Sequence, residues 1–175
     1  MRIRILKFKI VAATFRLRKT MTEERLHRLP RECYKGRVAV AFTLCLRERE
    51  RFFVNKEIFK LVEERLLQTL NNFGCDAHVY LFMPDHCHFL FEGKTDFSDI
   101  YQCLINFKQK SSYYLKIMWQ KDFYDHILRN DEDVIKQTRY ILGNPIRKNL
   151  VQNWKEYPFK GSTVYDFDGW DIAPT

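Results

Sequence analysis

The sequence predicts one α+β domain built on a central, mainly antiparallel sheet, with helices packed on one side of it. Short β-rich segments alternate with longer segments of helical periodicity, in the order β-α-β-β-α-β-α. Apolar residues make up 46% of the 175 residues and aromatic residues 15%, which is ample for a packed core and unlike a disordered chain.

The first half of the domain is predicted to form a strand, a helix and two further strands. Residues 38–46 are almost continuously apolar, as in a buried central strand. A helix begins at Asn55 and ends near Gly74, because apolar residues recur at helical spacing between them. Residues 77–83 and 86–92 are the next two strands, separated by a proline.

The next helix and a short strand complete the sheet. Asp96 or Ser98 can cap the helix, which is expected to run to about Met118. An aromatic-rich loop follows, and residues 124–128 within it form a short strand.

The last helix and the tail close the chain. Asp131 caps a helix with acidic residues in its first turn, and this helix runs to about Gly143. The following Asn-Pro pair ends it, since Pro145 disfavours a helical conformation in the residue before it. Residues 154–175 are expected to be a loop-like tail that packs on the body.

Most of the net charge of +8 lies at the start of the chain. Residues 1–20 carry seven basic side chains and no acidic one, so the remainder is close to neutral. Residues 1–33 are interpreted either as a basic arm that contacts a phosphate backbone or as an extension upstream of a true start at Met21. Residues 34–175 are the single folded domain with its tail.

Cysteine usage and hydropathy favour a soluble protein of a reducing cytoplasm. The five cysteines are an odd number and include no Cys-x-x-Cys pair, which argues against a disulfide framework or a zinc finger. No apolar stretch is long enough for a membrane span. A Gly-rich phosphate loop is also absent, which argues against an NTPase.

The most informative motif is a pair of histidines inside an apolar strand. Side chains i and i+2 of a strand leave the same face, so His86 and His88 point together while Cys87 points into the packing. Two neutral imidazoles form half a site for a divalent cation. An isolated His-x-His is more often a pair of surface histidines, so this interpretation depends on the rest of the chain.

The final helix carries a second pair of groups. Tyr140 and Asn144 are four residues apart and are therefore expected on one helix face. A phenol there could attack a phosphodiester, and an amide oxygen could be a third metal ligand. A tyrosine has an ordinary pKa of about 10, so it needs an activator that the sequence does not identify. Tyr113 and Tyr114, in the middle of the preceding helix, are rival nucleophiles.

In these motifs and their order the chain resembles the single-tyrosine HUH transposases, above all the REP-associated tyrosine transposases and their insertion-sequence relatives. The resemblance spans roughly residues 35–165 and implies the HUH endonuclease fold, which is ferredoxin- or RRM-like. The segments that carry it are residues 83–90, 119–126, 129–130 and 140–147.

The resemblance also implies a reaction. Members of the family open single-stranded DNA beside a hairpin, join their tyrosine to the 5′ end and release a 3′-hydroxyl, which a second strand's hydroxyl can reverse. By position, Tyr140 would be the nucleophile, and His86, His88 and Asn144 would hold Mg²⁺ or Mn²⁺. Relatives include monomers and dimers that share active sites. The expected location is the cytoplasm, in association with the nucleoid.

Basic and aromatic side chains are expected to line the path of the DNA. Arg147 and Lys148 follow the tyrosine helix and are the first choice for phosphate contact. A solvated helix face would explain other lysines equally well. The remaining candidates are Lys108, Lys110, Trp119 and Arg129.

Two other functions stay open at this stage. A domesticated descendant could bind or process REP-type hairpins without active transposition. An unrelated metal phosphohydrolase could use an activated water in place of a tyrosine, and a covalent protein–DNA adduct that survives denaturant would eliminate it.

Overall fold

The centre of the computed structural model is a five-stranded sheet in the order β4-β1-β3-β2-β5, with every neighbouring pair antiparallel. The structure describes residues 29–129 and 133–171. The predicted α+β class with an antiparallel sheet is confirmed. The strands are β1 (Ala39–Cys45), β2 (Cys75–Met83), β3 (His86–Gly93), β4 (Tyr124–Ile127) and β5 (Lys160–Gly161), and the helices are α1 (Lys56–Asn72), α2 (Ile100–Leu115), α3 (Val134–Leu142) and α4 (Asn144–Arg147).

Helix α1 begins where the sequence predicts. The Asn55 side chain accepts hydrogen bonds from the backbone N–H groups of Glu57 (2.7 Å) and Ile58 (3.2 Å), which satisfies two donors of the first turn. Its apolar stripe, which includes Val62 and Leu66, is fully buried against the sheet.

Helix α2 is shorter than predicted at both ends. Its cap is Asp99, whose carboxylate accepts from the Gln102 N–H at 2.9 Å, rather than Asp96 or Ser98. The Ser98 hydroxyl instead donates to the Gly74 carbonyl at 2.6 Å. The helix ends before Met118 because Lys116 takes a left-handed backbone conformation with φ of 57°.

Helix α3 also begins later than predicted. Asp133 caps it by accepting from the N–H groups of Ile135 and Lys136, whereas Asp131 lies outside the described residues. The helix ends at Leu142, and Asn144 begins the separate turn α4. The prediction that Tyr140 and Asn144 share one helix is therefore wrong.

The two faces of the sheet are covered differently. On the core face, phenylalanines of the strands pack against α1 and α2. On the opposite face, which we call the site face, Leu81 and Leu90 pack against Ile141 and Leu142 of α3 and against Trp154 of the tail. The prediction of helices on one side only is wrong, because α3 has an apolar side of its own to bury. The core-face phenylalanines are Phe42, Phe82, Phe89 and Phe91.

The tail is more ordered than the loop that the sequence predicts. It supplies β5, and the Tyr157 hydroxyl donates to the Phe82 carbonyl at 2.7 Å. Gly161 lies against the Tyr80 ring, where a Cβ would come within 2.1 Å of the Tyr80 hydroxyl oxygen, so only glycine fits there.

The predicted arm, residues 1–33, lies mostly outside the described residues, which begin at Leu29. Arg31–Tyr34 forms a short 3₁₀ turn, and the buried Tyr34 donates to an Asp125 carboxylate oxygen at 2.5 Å. Across residues 29–129 and 133–171, no helix combines the length and apolar character that a membrane span requires.

Candidate active site

The two histidines of β3 lie on the site face of the sheet. Their ring centroids are 4.9 Å apart and the rings are nearly perpendicular, at 87°. Cys87, between them, is fully buried in the core-face cluster. The strand therefore presents two imidazoles at one point, as its period-2 alternation requires.

Each imidazole is oriented through its Nδ1 atom. His86 Nδ1 lies 2.6 Å from Asp85 Oδ1, and His88 Nδ1 lies 2.9 Å from Thr43 Oγ1. Thr43 is the residue directly opposite His88 in the β1–β3 register. Both contacts leave Nε2 to bind a cation, and this is how metal-ligating histidines are held in proteins.

His88 is held in its neutral form. Burial, the nearby His86 ring and the Arg147 guanidinium lower the pKa of His88 to about 3. A neutral imidazole is the form that binds a metal. Arg49 adds a third member to the Asp85–His86 contact, since Arg49 Nη1 lies 3.3 Å from Asp85 Oδ2.

Helix α3 presents Tyr140 to solvent. The next two residues, Ile141 and Leu142, are buried against the sheet and fix the helix, whereas the Tyr140 side chain is 59% exposed. An exposed phenol on an anchored helix is accessible to a large substrate such as a DNA strand. Rival nucleophiles Tyr113 and Tyr114 are also exposed, but they lie on α2, which covers the core face.

Arg147 joins the tyrosine helix to the histidines. Its guanidinium carbon lies 4.2 Å from the Tyr140 ring centroid, and Nη2 donates to the Tyr140 carbonyl at 2.5 Å and to Asn144 Oδ1 at 2.9 Å. The same guanidinium acts on the pKa of His88. Arg147 therefore contacts Tyr140 and Asn144 and lies near enough to His88 to act on its charge.

The Asn144 amide is engaged within the chain. Its Nδ2 donates to the Ile141 carbonyl at 3.0 Å, and its Oδ1 accepts from Arg147. An amide oxygen has two lone pairs, so Asn144 could bind a metal with the second one or by displacing Arg147.

The donor set fits a hard divalent cation with few protein ligands. It offers two imidazole nitrogens and one amide oxygen, with the remaining positions open to water and phosphate oxygens. Within residues 29–129 and 133–171, no three His, Cys, Asp or Glu side chains are grouped so as to hold a metal. A closed structural metal site is therefore not found in that part of the chain.

Two of the expected DNA contacts have structural roles. The Trp119 ring packs between Phe53 and Phe107, and its indole N–H donates to Ser111 Oγ at 2.9 Å. Lys108 Nζ donates to backbone carbonyls of the loop after α2, at 2.9 Å and 3.2 Å. Neither side chain is free to follow a DNA backbone.

The other expected DNA contacts differ in position. Arg147 lies in the site, as described above, and Lys148 lines a cavity next to His86. Lys110 lies on α2, and Arg129 is exposed after β4.

Sequence reasoning missed the supporting residues Thr43, Asp85 and Arg49. Only Asp85 had a local signal, since it precedes His86 in the chain.

Comparisons with known proteins identify the family. The model of the IS200-like transposases matches residues 34–144, which include both histidines, Tyr140 and Asn144. The chain belongs to the IS200-like transposase family. Transposases of this family act on DNA, and the resemblance found in the sequence is confirmed.

Individual relatives agree with the family. A REP-associated tyrosine transposase of Escherichia coli (strain K12) is 24% identical, over 67% of this chain and 72% of the relative. A Haemophilus influenzae protein of the same class is also 24% identical, over 67% of this chain and 76% of the relative.

A solved structure shows the same fold. It is described as a REP-associated tyrosine transposase bound to a REP hairpin, with a TM-score of 0.68 and 22% identity, and the match covers 89% of this chain and 94% of that one. The similarity confirms the predicted α+β architecture.

Proposed function

We propose that this transposase is a metal-dependent single-stranded DNA endonuclease and strand transferase, with Tyr140 as its nucleophile. The observation that carries the proposal is the position of Arg147, which contacts Tyr140 and Asn144 and acts on His88. The solved relative is bound to a REP hairpin, which supports hairpin-flanked DNA as the substrate.

Tyr140 would carry out the covalent step. Its phenolic oxygen attacks the scissile phosphorus, so that a P–O bond to tyrosine forms as the bond to the 3′ oxygen breaks. The phenolic proton passes to solvent, and the 3′ oxygen leaves as a hydroxyl by taking a proton from solvent. The 5′ end stays joined to Tyr140, and attack by a second 3′-hydroxyl reverses the step without an external energy source.

His86, His88 and Asn144 would hold Mg²⁺ or Mn²⁺. When bound, the ion polarises the scissile phosphate and neutralises its developing charge. The roles of the neighbouring residues follow from their contacts. Asp85 and Thr43 fix the two rings, so the ligand atoms need little reorganisation before the reaction.

Arg147 would stabilise negative charge on both reacting groups. Its guanidinium lies over the Tyr140 ring, and its charge also acts on His88. A cation in that place favours negative charge on the phenol oxygen and on the phosphate.

The test uses labelled hairpin DNA with single-stranded flanks, incubated with Mn²⁺ and run on a denaturing gel. The wild-type protein is expected to form a protein–DNA adduct, and Tyr140→Phe is expected to reduce it at least about a thousandfold. Hairpin binding should stay within about twofold, because the exposed Tyr140 ring contributes little to the fold.

The matched control is Tyr124→Phe, since Tyr124 is an exposed tyrosine on the edge strand β4. It should form the adduct at the wild-type rate. An adduct with Tyr140→Phe would exclude Tyr140 as the nucleophile, and an adduct that forms equally with EDTA would exclude the metal.

The engagement of the Asn144 amide by Arg147 favours a second candidate function. In this alternative, the chain binds REP-type hairpins without cleaving them, because Arg147 keeps its hydrogen bond to Asn144 Oδ1 and the amide does not bind the metal. The same gel separates the two, since the binder shifts hairpin DNA on a native gel but forms no adduct at any Mn²⁺ concentration.

A further inference from the structure

A cavity of about 420 Å³ opens beside His86. Three segments meet around it: the loop after β1, the β2–β3 turn and the residues after α4. The side chains that line it include Arg49, Arg51, Pro84, His86, Lys148 and Leu150. Because His86 lines both, the cavity and the histidine site are adjacent.

The cavity has more positive than negative charge. Arg49, Arg51 and Lys148 face a single carboxylate, that of Asp85. That carboxylate is already bound to His86 Nδ1 and to Arg49. Arg51 and Lys148 therefore remain to bind an anion, and a phosphodiester is the anion that the family's substrate provides in this place.

Apolar surface lies next to these cations. Pro84 is half-buried and Leu150 is 39% exposed, and both line the cavity. Such surfaces suit the flat face of a base or a sugar. The volume lies at the low end of the range for small-ligand sites, about 300 to 1,000 Å³, which fits one nucleotide better than a duplex.

The loop that carries the two arginines is held in an unusual conformation. Glu48 and Arg49 both have positive φ, 55° and 56°, which is rare for residues other than glycine. The loop is tied to the β2–β3 turn, since the Leu46 N–H donates to the Asp85 carbonyl and the Phe52 N–H to the Pro84 carbonyl, both at 2.9 Å. Strain held by surrounding bonds is typical of binding sites.

We propose that this cavity binds one nucleotide of the single-stranded DNA that flanks the scissile phosphate, with Arg51 and Lys148 on its phosphate and the Pro84–Leu150 surface on its base. The inference rests on the proposed function, because it takes the strand in the histidine site to be DNA. It adds a positioning site that fixes which phosphodiester lies beside Tyr140.

The test measures binding of a fluorescein-labelled, random-sequence strand of eight nucleotides by anisotropy, with EDTA present and over a series of salt concentrations. Arg51→Gln and Lys148→Gln are each expected to weaken binding about tenfold. Each should also reduce the slope of log affinity against log salt by about 0.7, the value for one phosphate contact on a single strand.

The matched control is Arg37→Gln. Arg37 precedes β1 and pairs with Asp96, whereas the cavity lies beyond the other end of β1, so this variant should bind like wild type. Unchanged melting temperatures would show that all three variants fold. Wild-type affinity and salt slope in Arg51→Gln and Lys148→Gln would overturn the proposal, and so would an equal loss in Arg37→Gln.

A second arm separates this proposal from the proposed function. Hairpin substrates receive one abasic nucleotide at each flanking position in turn. Wild type should lose affinity at one position, and Arg51→Gln should be insensitive there. Binding through the cavity without any adduct would contradict the nuclease alone, whereas an adduct with no position-dependent loss would overturn the cavity alone.

Discussion

The core face and the site face of the sheet are built from the same strands but have different chemistry. Along β3, Phe89 and Phe91 enter the core face, whereas His86 and His88 open onto the site face. The phenylalanines pack edge-on or stacked with their neighbours, as in the 4.9 Å Phe89–Phe91 pair. The packing of these phenylalanines thus makes the β3 backbone rigid, and the two histidines do not contribute to that packing.

The site face itself combines a rigid half and a less constrained half. The histidines lie on a central strand with partners on both sides, β1 and β2. Tyr140 lies on a helix of nine residues whose buried anchors are Thr138, Ile141 and Leu142. The difference indicates that the ligand geometry is fixed in advance, whereas the nucleophile is held by a small contact area and by Arg147.

The largest effects should come from two neighbouring residues of β3. Substitution of one should mainly lower stability, and substitution of the other should mainly lower adduct formation. Phe89→Ala is expected to lower the free energy of unfolding by about 3–5 kcal/mol, because it leaves a cavity in the core face. His88→Ala should change it by less than about 1 kcal/mol yet reduce adduct formation at least about a hundredfold. Urea denaturation and the adduct gel measure the two quantities.

A large loss of stability in His88→Ala would show that the two faces are not separate. Loss of the adduct in folded Phe89→Ala, measured below its melting temperature, would have the same meaning. Either result would contradict the assignment of stability to the core-face residues of β3 and of adduct formation to its site-face residues.

An intermediate effect is expected from the hydroxyl that orients His88. Thr43→Val keeps the shape of the side chain but removes the partner of His88 Nδ1, and it should weaken Mn²⁺ binding about 10- to 100-fold. Thr43→Ser keeps the hydroxyl and should bind Mn²⁺ nearly as wild type does. Isothermal titration with Mn²⁺ checks both, and equal affinities in Val and Ser variants would exclude the orienting role.

The smallest effect tests the tail. Tyr157→Phe removes the hydrogen bond to the Phe82 carbonyl and should cost about 1 kcal/mol of unfolding free energy at neutral pH. Burial raises the pKa of Tyr157 above its ordinary value of 10, against the opposing charge of Arg51. The neutral phenol is thus favoured in the fold, so its contribution is complete below pH 10 and is lost as the pH rises further.

Unfolding measured at pH 7 and at pH 10.5 checks this prediction. The difference between wild type and Tyr157→Phe should shrink at the higher pH. A difference that grows with pH would contradict the assignment of a neutral, buried phenol.

Local patterns in the sequence correctly predicted strands β1 to β4, helices α1 to α3 and the shared face of His86 and His88. The period-2 pattern of β3 and the cap at Asn55 depend on residues within one turn or one pleat, so the sequence suffices for both. Asp131 was the predicted cap of α3, but Asp133 caps it, and Asp99 caps α2 in place of the predicted Asp96 or Ser98. The sequence could not choose between them, because tertiary contacts such as the Ser98–Gly74 hydrogen bond decide the start of the helix.

The supporting residues of the site could not be predicted, because they come from distant parts of the chain. Thr43 meets His88 only through the β1–β3 register, and Arg49 reaches Asp85 only through the loop that is tied to the β2–β3 turn. Composition also gave no means to separate Lys108, which binds loop carbonyls, from Arg51, which faces a cavity.

The most direct test of the central claim is to map the residue that becomes joined to DNA. The adduct formed with Mn²⁺ is digested with trypsin and nuclease, and the modified peptide is sequenced by mass spectrometry. We expect a nucleotide phosphate on Tyr140, in the peptide of residues 140–147. A modification in the peptide of residues 111–116, which carries Tyr113 and Tyr114, would contradict it.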